Sequence, residues 1–375
     1  MVPKKRIRLF VGMLCTFGLV AGFIYGQHSF FANEKEDEQL QFGVEGDGVL
    51  TDTQAIQQAI DQTPIGGELR IPPGVYQLAK NPELKASTGY GDSYFAIKIS
   101  KPITILMDGV IFKTTSADAY GAFWVTSTAD VHLKGGFFMG DHLPESGSLV
   151  SNIAILVQGS RESSIEHVHT KNYSQGIHLH HADHNVVRNV ISESNYGSGI
   201  INFASDYNLI ELCVVRNSGD GHLSLFGGGK HNTVRACFVT EDRPDYADQQ
   251  GITIESEKES RVENNMVSGF YYGIDIKNGS DGDVIQGNLV FNNEFNIAVR
   301  PGDGGKNLMT PSHNIRILNN LAINPREKSE RGIYINVGKG HMVQGNTVEK
   351  NNLILRDEEL RVKYLKKNFI VTDKK

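Results

Sequence analysis

Cysteine is scarce, with three residues in the whole chain of 375, at positions 15, 213 and 237. So few cannot form a disulfide framework, and without a Cys-x-x-Cys pair they make no zinc site. His-Glu-x-x-His and Gly-x-x-x-x-Gly-Lys-Ser are also missing, which removes the zincin and P-loop readings. No long helical pattern interrupts residues 152–352, so no crossover helix can cover a flat parallel sheet. Positive charge is not in excess either. Beyond residue 32 there are 33 Lys and Arg against 43 Asp and Glu, which argues against a nucleic-acid partner.

What is present is a slot that returns about every 22 to 24 residues, filled by Val168, Val190, Cys213, Cys237, Asn265, Asn288, Asn320 and Asn346. A short β-branched strand precedes each slot. These strands read NIAIL (152–156), GIHLH (176–180), GIINF (199–203), GHLSL (221–225), GITIE (251–255), GIDIK (273–277), NIAVR (296–300) and GIYIN (332–336). Alternating apolar and polar residues, punctuated by Gly, Asn, Asp and Ser, give two or three short strands per unit. Such a unit buries its apolar side chains only by coiling and lying on its neighbours. The predicted fold is therefore all-β, a single-stranded right-handed parallel β-helix over residues 33–352. Coils stack about 4.8 Å apart, so the four successive asparagines form an internal hydrogen-bonded ladder. Cys213 and Cys237, in the same slot of adjacent coils, read as stacked buried thiols.

Residues 1–32 read as a signal peptide or membrane anchor. MVPKKRIR carries four positive charges and runs into an uncharged apolar stretch, residues 9–26. Its length, and Phe30 where a signal-peptidase site prefers a small residue, favour an uncleaved membrane anchor with the β-helix outside. Residues 353–375 read as a C-terminal cap or tail, with a charged and helical segment at 356–369.

Residues 42–78 contain Phe42, Gly43, Gly46, Asp47 and Gly48, then a helix with Ala55, Ile56, Ala59 and Ile60 on one face, then Pro72, Pro73, Gly74 and Tyr76. The helix, capped by Thr51 or Asp52, reads as a lid on the first coil. This stretch closely resembles the opening of pectate-lyase-superfamily proteins (pectin-lyase-like fold) related to polygalacturonases. The resemblance implies the β-helix and a polysaccharide substrate, but its members include hydrolases, lyases, epimerases and depolymerases. Polygalacturonase motifs are largely lost. Of Gly-Asp-Asp-Cys-Ile-Ala-Ile-Lys only the first aspartate survives, as Asp220. Gln249, Gln250 and Gly251 stand where Gly-His-Gly is expected, and Asp275, Ile276 and Lys277 stand where Arg-Ile-Lys is expected. The Asp-Pro-His of alginate epimerases is missing too.

Inward residues build the core, so chemistry must use outward positions of the Gly-Ile strands. Read outward, these strands give one column of His180, Asn202, Ser224, Glu255, Lys277, Arg300 and Asn336, and a second with His178, Thr253, Asp275 and Tyr334. Insertions at 241–248 and 301–312 would wall the row. Glu255, Asp275, Lys277 and Arg300 are the leading catalytic candidates, with His178, His180 and Asp220 next. Tyr246, Tyr271, Tyr272, Tyr334 and Asn336 are candidates for substrate binding, since sugars lie well on aromatic faces. Glu255 and Asp275 as diagonal carboxylates would suit an inverting glycosidase. Arg300 with Lys277 or a histidine would suit proton abstraction beside a uronate carboxylate, as a lyase or epimerase requires. A lyase could also use Ca²⁺. A non-catalytic carbohydrate-binding or structural β-helix at the cell surface is the competing expectation.

Overall fold

The computed structural model describes residues 46–89, 91–115, 120–141, 152–243, 249–302, 310–323, 331–349, 353–355 and 368–371. The apolar stretch at 9–26, Phe42, Gly43, Tyr246, the inner parts of both insertions and most of the 356–369 segment lie outside them. No helix among the described residues is long and apolar enough to cross a membrane.

The coils form a parallel β-helix with three faces. One face is a sheet of 12 strands containing the Gly-Ile strands. The other two are parallel ladders, joined at one end where Ile103–Lys113 and Val131–Met139 run through both. Between the two ends, each coil strand pairs in parallel with the strand one coil earlier and one coil later, and the core between the faces is filled by aligned Ile, Val, Leu and Phe. The recurring glycine has a steric cause. At Gly273 an added Cβ would lie 2.7 Å from Val290 Cγ1 and 2.7 Å from Asn293 Nδ2, so a side chain would collide with the adjoining face.

Two registers differ from the sequence reading. Ile155, not Ile153, pairs with Ile177, so the first of these coils starts two residues later. In the coil at 219–226, Leu223 pairs with both Ile200 and Ile252, which puts His222 in the glycine's place.

The asparagine ladder forms and is one rung longer than expected. Asn265, Asn288 and Asn320 each donate Nδ2 to the Oδ1 of the next rung at 2.9–3.0 Å, and Asn346 does the same to Asn368 at 3.0 Å. The same amides donate to backbone carbonyls, so every buried polar atom in the column is used. Cys213 and Cys237 are free, buried thiols.

The entry helix α1, Thr53–Gln62, buries Ile56, Ala59 and Ile60 against the first coil. Asp52 occupies the N-cap but makes no side-chain cap bond. The side chain of Gln57 bonds both ways with the backbone of Lys98, at 2.9 and 3.0 Å, and so covers a strand that would otherwise be an open edge. Gly46 and Gly48 adopt left-handed φ of 58° and 75°, Gly46 packing on the ring of Tyr76, whose hydroxyl donates to Pro72 O.

A second polar ladder runs along the corner after the Gly-Ile sheet. Ser163, Asn185, Asn208, Asn232 and Ser260 each donate a backbone N–H to the side-chain oxygen of the next member, ending at Asp283. Beside it, His184, Tyr207 and His231 share left-handed backbone, and their rings stack at 4.8 Å. These turn histidines are part of the scaffold.

Asp283 replaces the amide of this ladder with a carboxyl. Its Oδ1 accepts from Ser260, but its Oδ2 is buried and meets no donor, where an asparagine's Nδ2 reaches back to a carbonyl of the preceding coil. Burial, opposed by the Ser260 N–H and reinforced by Glu257, raises the Asp283 carboxyl from 3.8 to about 8. Burial likewise raises Glu257 to about 7. Raised carboxyls bind protons more tightly folded than unfolded, so their contribution is complete below about pH 4 and is lost as pH rises through 7 to 8. Asp283→Asn is expected to raise the melting temperature at pH 8 by at least about 1–2 °C, an effect of at least about 1 kcal/mol, and to have much less effect at pH 4. Calorimetry at the two pH values checks this; an equal shift at both would contradict the protonation account.

Candidate functional site

The outward face of the Gly-Ile sheet carries two columns set by strand register. The first runs Gln158, His180, Phe203, Phe226, Glu255, Lys277, and then Arg300, which follows Val299 in register with Ile276. The second runs Leu156, His178, Ile201, Ser224, Thr253, Asp275, Ala298 and Tyr334. Two positions of the sequence reading are thereby corrected. Asn202 aligns with Leu179 and Leu225, points inward and donates to Ser205 O at 3.1 Å. Ser224 belongs to the second column. Phe203 and Phe226 stand in their places, rings 5.0 Å apart.

Beyond this aromatic pair the four leading candidates come together. Arg300 grips Asp275 through two parallel bonds, Nε to Oδ1 at 2.8 Å and Nη2 to Oδ2 at 2.7 Å. Lys277 Nζ lies 3.7 Å from Asp275 Oδ2 and 3.6 Å from Glu255 Oε2. Asn278, absent from the sequence reading, donates to Glu255 Oε1 at 2.6 Å. The Asp275 side chain is fully buried, whereas Glu255 keeps 14% exposure. A bidentate charge-assisted pair of this kind is geometrically fixed, so Asp275 is a buried, locked anion and Glu255 is the more exposed carboxylate. The paired-carboxylate hydrolase arrangement is weakened accordingly.

Tyr271, Tyr272, Phe295 and Tyr334 form one aromatic cluster with centroids 4.8–5.4 Å apart. The Arg300 guanidinium stacks over Tyr272 at 4.2 Å, tying this cluster to the charged row. Asn336 donates its backbone N–H to Val299 O and continues the first column.

The remaining candidates fall elsewhere. Asp220 is exposed on the turn before Leu223–Phe226, where its backbone carbonyl faces His222 Nδ1 at 3.1 Å, and it stands outside the charged cluster. His178 and His180 lie at the other end of the row. There the strand Asn81–Ser87 folds back antiparallel onto Asp92–Ile99, and the turn after it brings Gly89 against Phe203 and His180. Gln158 ties this end together, donating to Ser87 O at 2.6 Å, accepting from Trp124 Nε1 at 3.1 Å and meeting His180 Nδ1 at 3.1 Å. Burial, then the neighbouring imidazole, lowers His178 to about 3 and His180 to about 4. Both rings are thereby held neutral at neutral pH, unlike the near-neutral titration expected from the sequence. Histidine carbon and nitrogen NMR shifts should show no titration of either ring between pH 5 and 8; a midpoint near 6.5 for either would contradict its burial.

A parallel β-helix with a polar row on one outer sheet is the pectin-lyase-like architecture. A family model described as periplasmic copper-binding protein (NosD) matches residues 140–320 and 189–371. The two overlapping matches span more than half the chain, and the chain belongs to that family. No curated protein matches the chain. Among solved structures, ORF18 of Geobacillus virus E2 is similar at TM-score 0.59 and 16% identity, covering 89% of this chain and 60% of that one. The chain thus spans three fifths of the viral protein. The A-module of mannuronan C-5 epimerase AlgE6 from Azotobacter vinelandii follows at 0.54 and 17%, covering 89% and 98%. PfbA, a surface adhesin of Streptococcus pneumoniae, gives 0.51 and 16%, covering 82% and 85%. At these identities the likeness is one of fold.

The family's description raises copper. Among the described residues no three His, Cys, Asp or Glu side chains gather to hold a metal ion. The two soft sulfurs of Cys213 and Cys237 face the core, where burial pushes the Cys213 thiol up. These side chains do not fit a copper centre, and no chemistry is derived through one.

Proposed function

We propose that this is an extracytoplasmic carbohydrate-active protein that binds a polysaccharide along the Gly-Ile sheet and transfers a proton at a uronic acid. The observation that carries this reading is the continuous row in which the Phe203–Phe226 pair leads directly into Glu255, Lys277, Asp275 and Arg300. Aromatic rings offer a surface for the C–H face of a sugar, and the next rungs offer a carboxylate, an ammonium and a guanidinium about 4.8 Å apart.

In this reading Lys277, at ion-pair rather than hydrogen-bond distance from both carboxylates, turns its ammonium to the substrate carboxylate and stabilises the charge that develops there. Glu255, steadied by Asn278, takes the proton beside it. Asp275, itself clamped by Arg300, holds Lys277 in place. Delivery of a proton from solvent water to the opposite face, while Glu255 releases its own to solvent, gives epimerisation; expelling the 4-linked sugar, its alkoxide taking the proton Glu255 now carries or one from water, gives elimination. The family's periplasmic description and the apolar stretch at 9–26 support export, with that stretch as anchor or signal.

The second reading, a non-catalytic carbohydrate-binding protein, is favoured by the Asp275–Arg300 lock, which engages the strongest cation of the row. Incubation of the fragment from Asn33 with a uronate and neutral polysaccharide panel, with and without Ca²⁺, separates them. Unsaturated-uronate absorbance, or altered uronate NMR signals, is expected on at least one acidic polymer. Glu255→Gln should lower that turnover by about 10²-fold or more with folding unchanged. Reducing ends without either signal would mean hydrolysis, and binding without turnover on any polymer would establish the second reading.

A further inference from the structure

We infer that the corner cavity beside His181 is a second sugar site, which receives the end of an acidic saccharide whose body lies on the Phe203–Phe226 row. The inference rests on the polysaccharide reading above and adds where the chain ends. The cavity measures about 520 Å³ and is lined by Ser127, Thr128, Ser160, Arg161, His181 and Asp183 from three successive coils. Its volume lies in the range of small-molecule sites, about 300–1,000 Å³, but its lining is polar where a drug-like site is mostly apolar. Hydroxyls, a guanidinium and a carboxylate together suit a ligand bearing several hydroxyls and a negative charge.

Its position joins it to the row. Ser127, Gly159 and His181 each follow directly on a residue at the end of a Gly-Ile sheet strand, Thr126, Gln158 and His180, and all three adopt left-handed backbone, with φ of 52°, 56° and 49°. The chain therefore bends away from the sheet at the same point in three coils and leaves a concavity alongside it. The His181 ring spans the gap, 4.6 Å from the His180 ring and 6.0 Å from Phe203.

Straight ahead the row is closed. The turn carrying Gly89 sits over Phe203 and His180, where even an added Cβ would come within 3.4 Å of the Phe203 ring. A saccharide running from Glu255 over Phe226 and Phe203 meets this turn and passes sideways over His181 into the cavity. Asp183 is held by the Asp206 N–H at 2.7 Å and presents a fixed carboxylate for sugar hydroxyls. Arg161 is 69% exposed, and its nearest carboxylate, Glu162, lies at 3.9 Å, so the guanidinium can turn to a uronate carboxylate in the cavity.

The chain's one tryptophan gives a readout independent of turnover. Trp124 bonds Gln158, which meets His180 at the cavity's edge, so occupancy should change its emission. Titration of the full chain with tetragalacturonate and tetramannuronate, with cellotetraose as neutral control, is the test. At least one acidic tetrasaccharide is expected to change Trp124 emission. Arg161→Ala should weaken its Kd tenfold or more, Arg161→Lys should restore part of the loss, and melting temperatures should be unchanged. If wild-type protein binds the acidic sugar and Arg161→Ala binds it equally well, the cavity site is wrong while the polysaccharide reading stands. If wild-type protein binds none of the acidic sugars, measured also by calorimetry, both fall.

Discussion

In-register stacking of each coil on the one before is the constraint on which the rest of the structure depends. Backbone bonds between parallel strands fix the axial spacing, and the spacing places like positions above one another around the whole circumference. Buried polar side chains are admissible only because of this. The column from Asn265 to Asn368 satisfies each amide with the next, and the corner column from Ser163 to Asp283 does so through backbone N–H groups. Where a column changes residue type, its physics changes with it, as at Asp283, a carboxyl in an amide's place.

The same constraint converts sequence into a surface. A residue at the end of one Gly-Ile strand touches its counterpart 22 to 29 positions away, so a linear list becomes a row of imidazole, two phenyl rings, carboxylate, ammonium and guanidinium. With Asp275 of the neighbouring column, the row's one carboxylate and two cations form a charge-balanced, cross-linked group, which preorganises it. Its aromatic part leads to a closed end and a lateral cavity, giving the face a direction that a uniform sheet would lack.

The coil repeat, the inward asparagines, the lid helix and the adjacency of Glu255, Asp275, Lys277 and Arg300 were legible because each follows from period and phase alone. Register within the row was less so. His222 occupies the place where neighbouring coils have glycine, which shifts GHLSL by one and hides Phe226 behind Ser224, whereas Phe203, as the last residue of GIINF, is in register with His180 by period alone, in the place given to Asn202. The corner ladder was readable in principle from the asparagine after each turn aromatic, in His184-Asn185, Tyr207-Asn208 and His231-Asn232. The burial of His178 and His180 was not, because the covering strand Asn81–Ser87 lies about 90 residues earlier and carries no coil motif. Long-range cover of this kind leaves no local periodicity to read.

The central claim is that one outward row of the Gly-Ile sheet holds the saccharide. A crystal structure of the Glu255→Gln variant with a bound oligouronate tests it most directly. The account places a sugar ring against Phe203 and Phe226 and a uronate carboxylate within hydrogen-bond reach of Lys277. A saccharide bound on either of the other two faces, with this row empty, would contradict it.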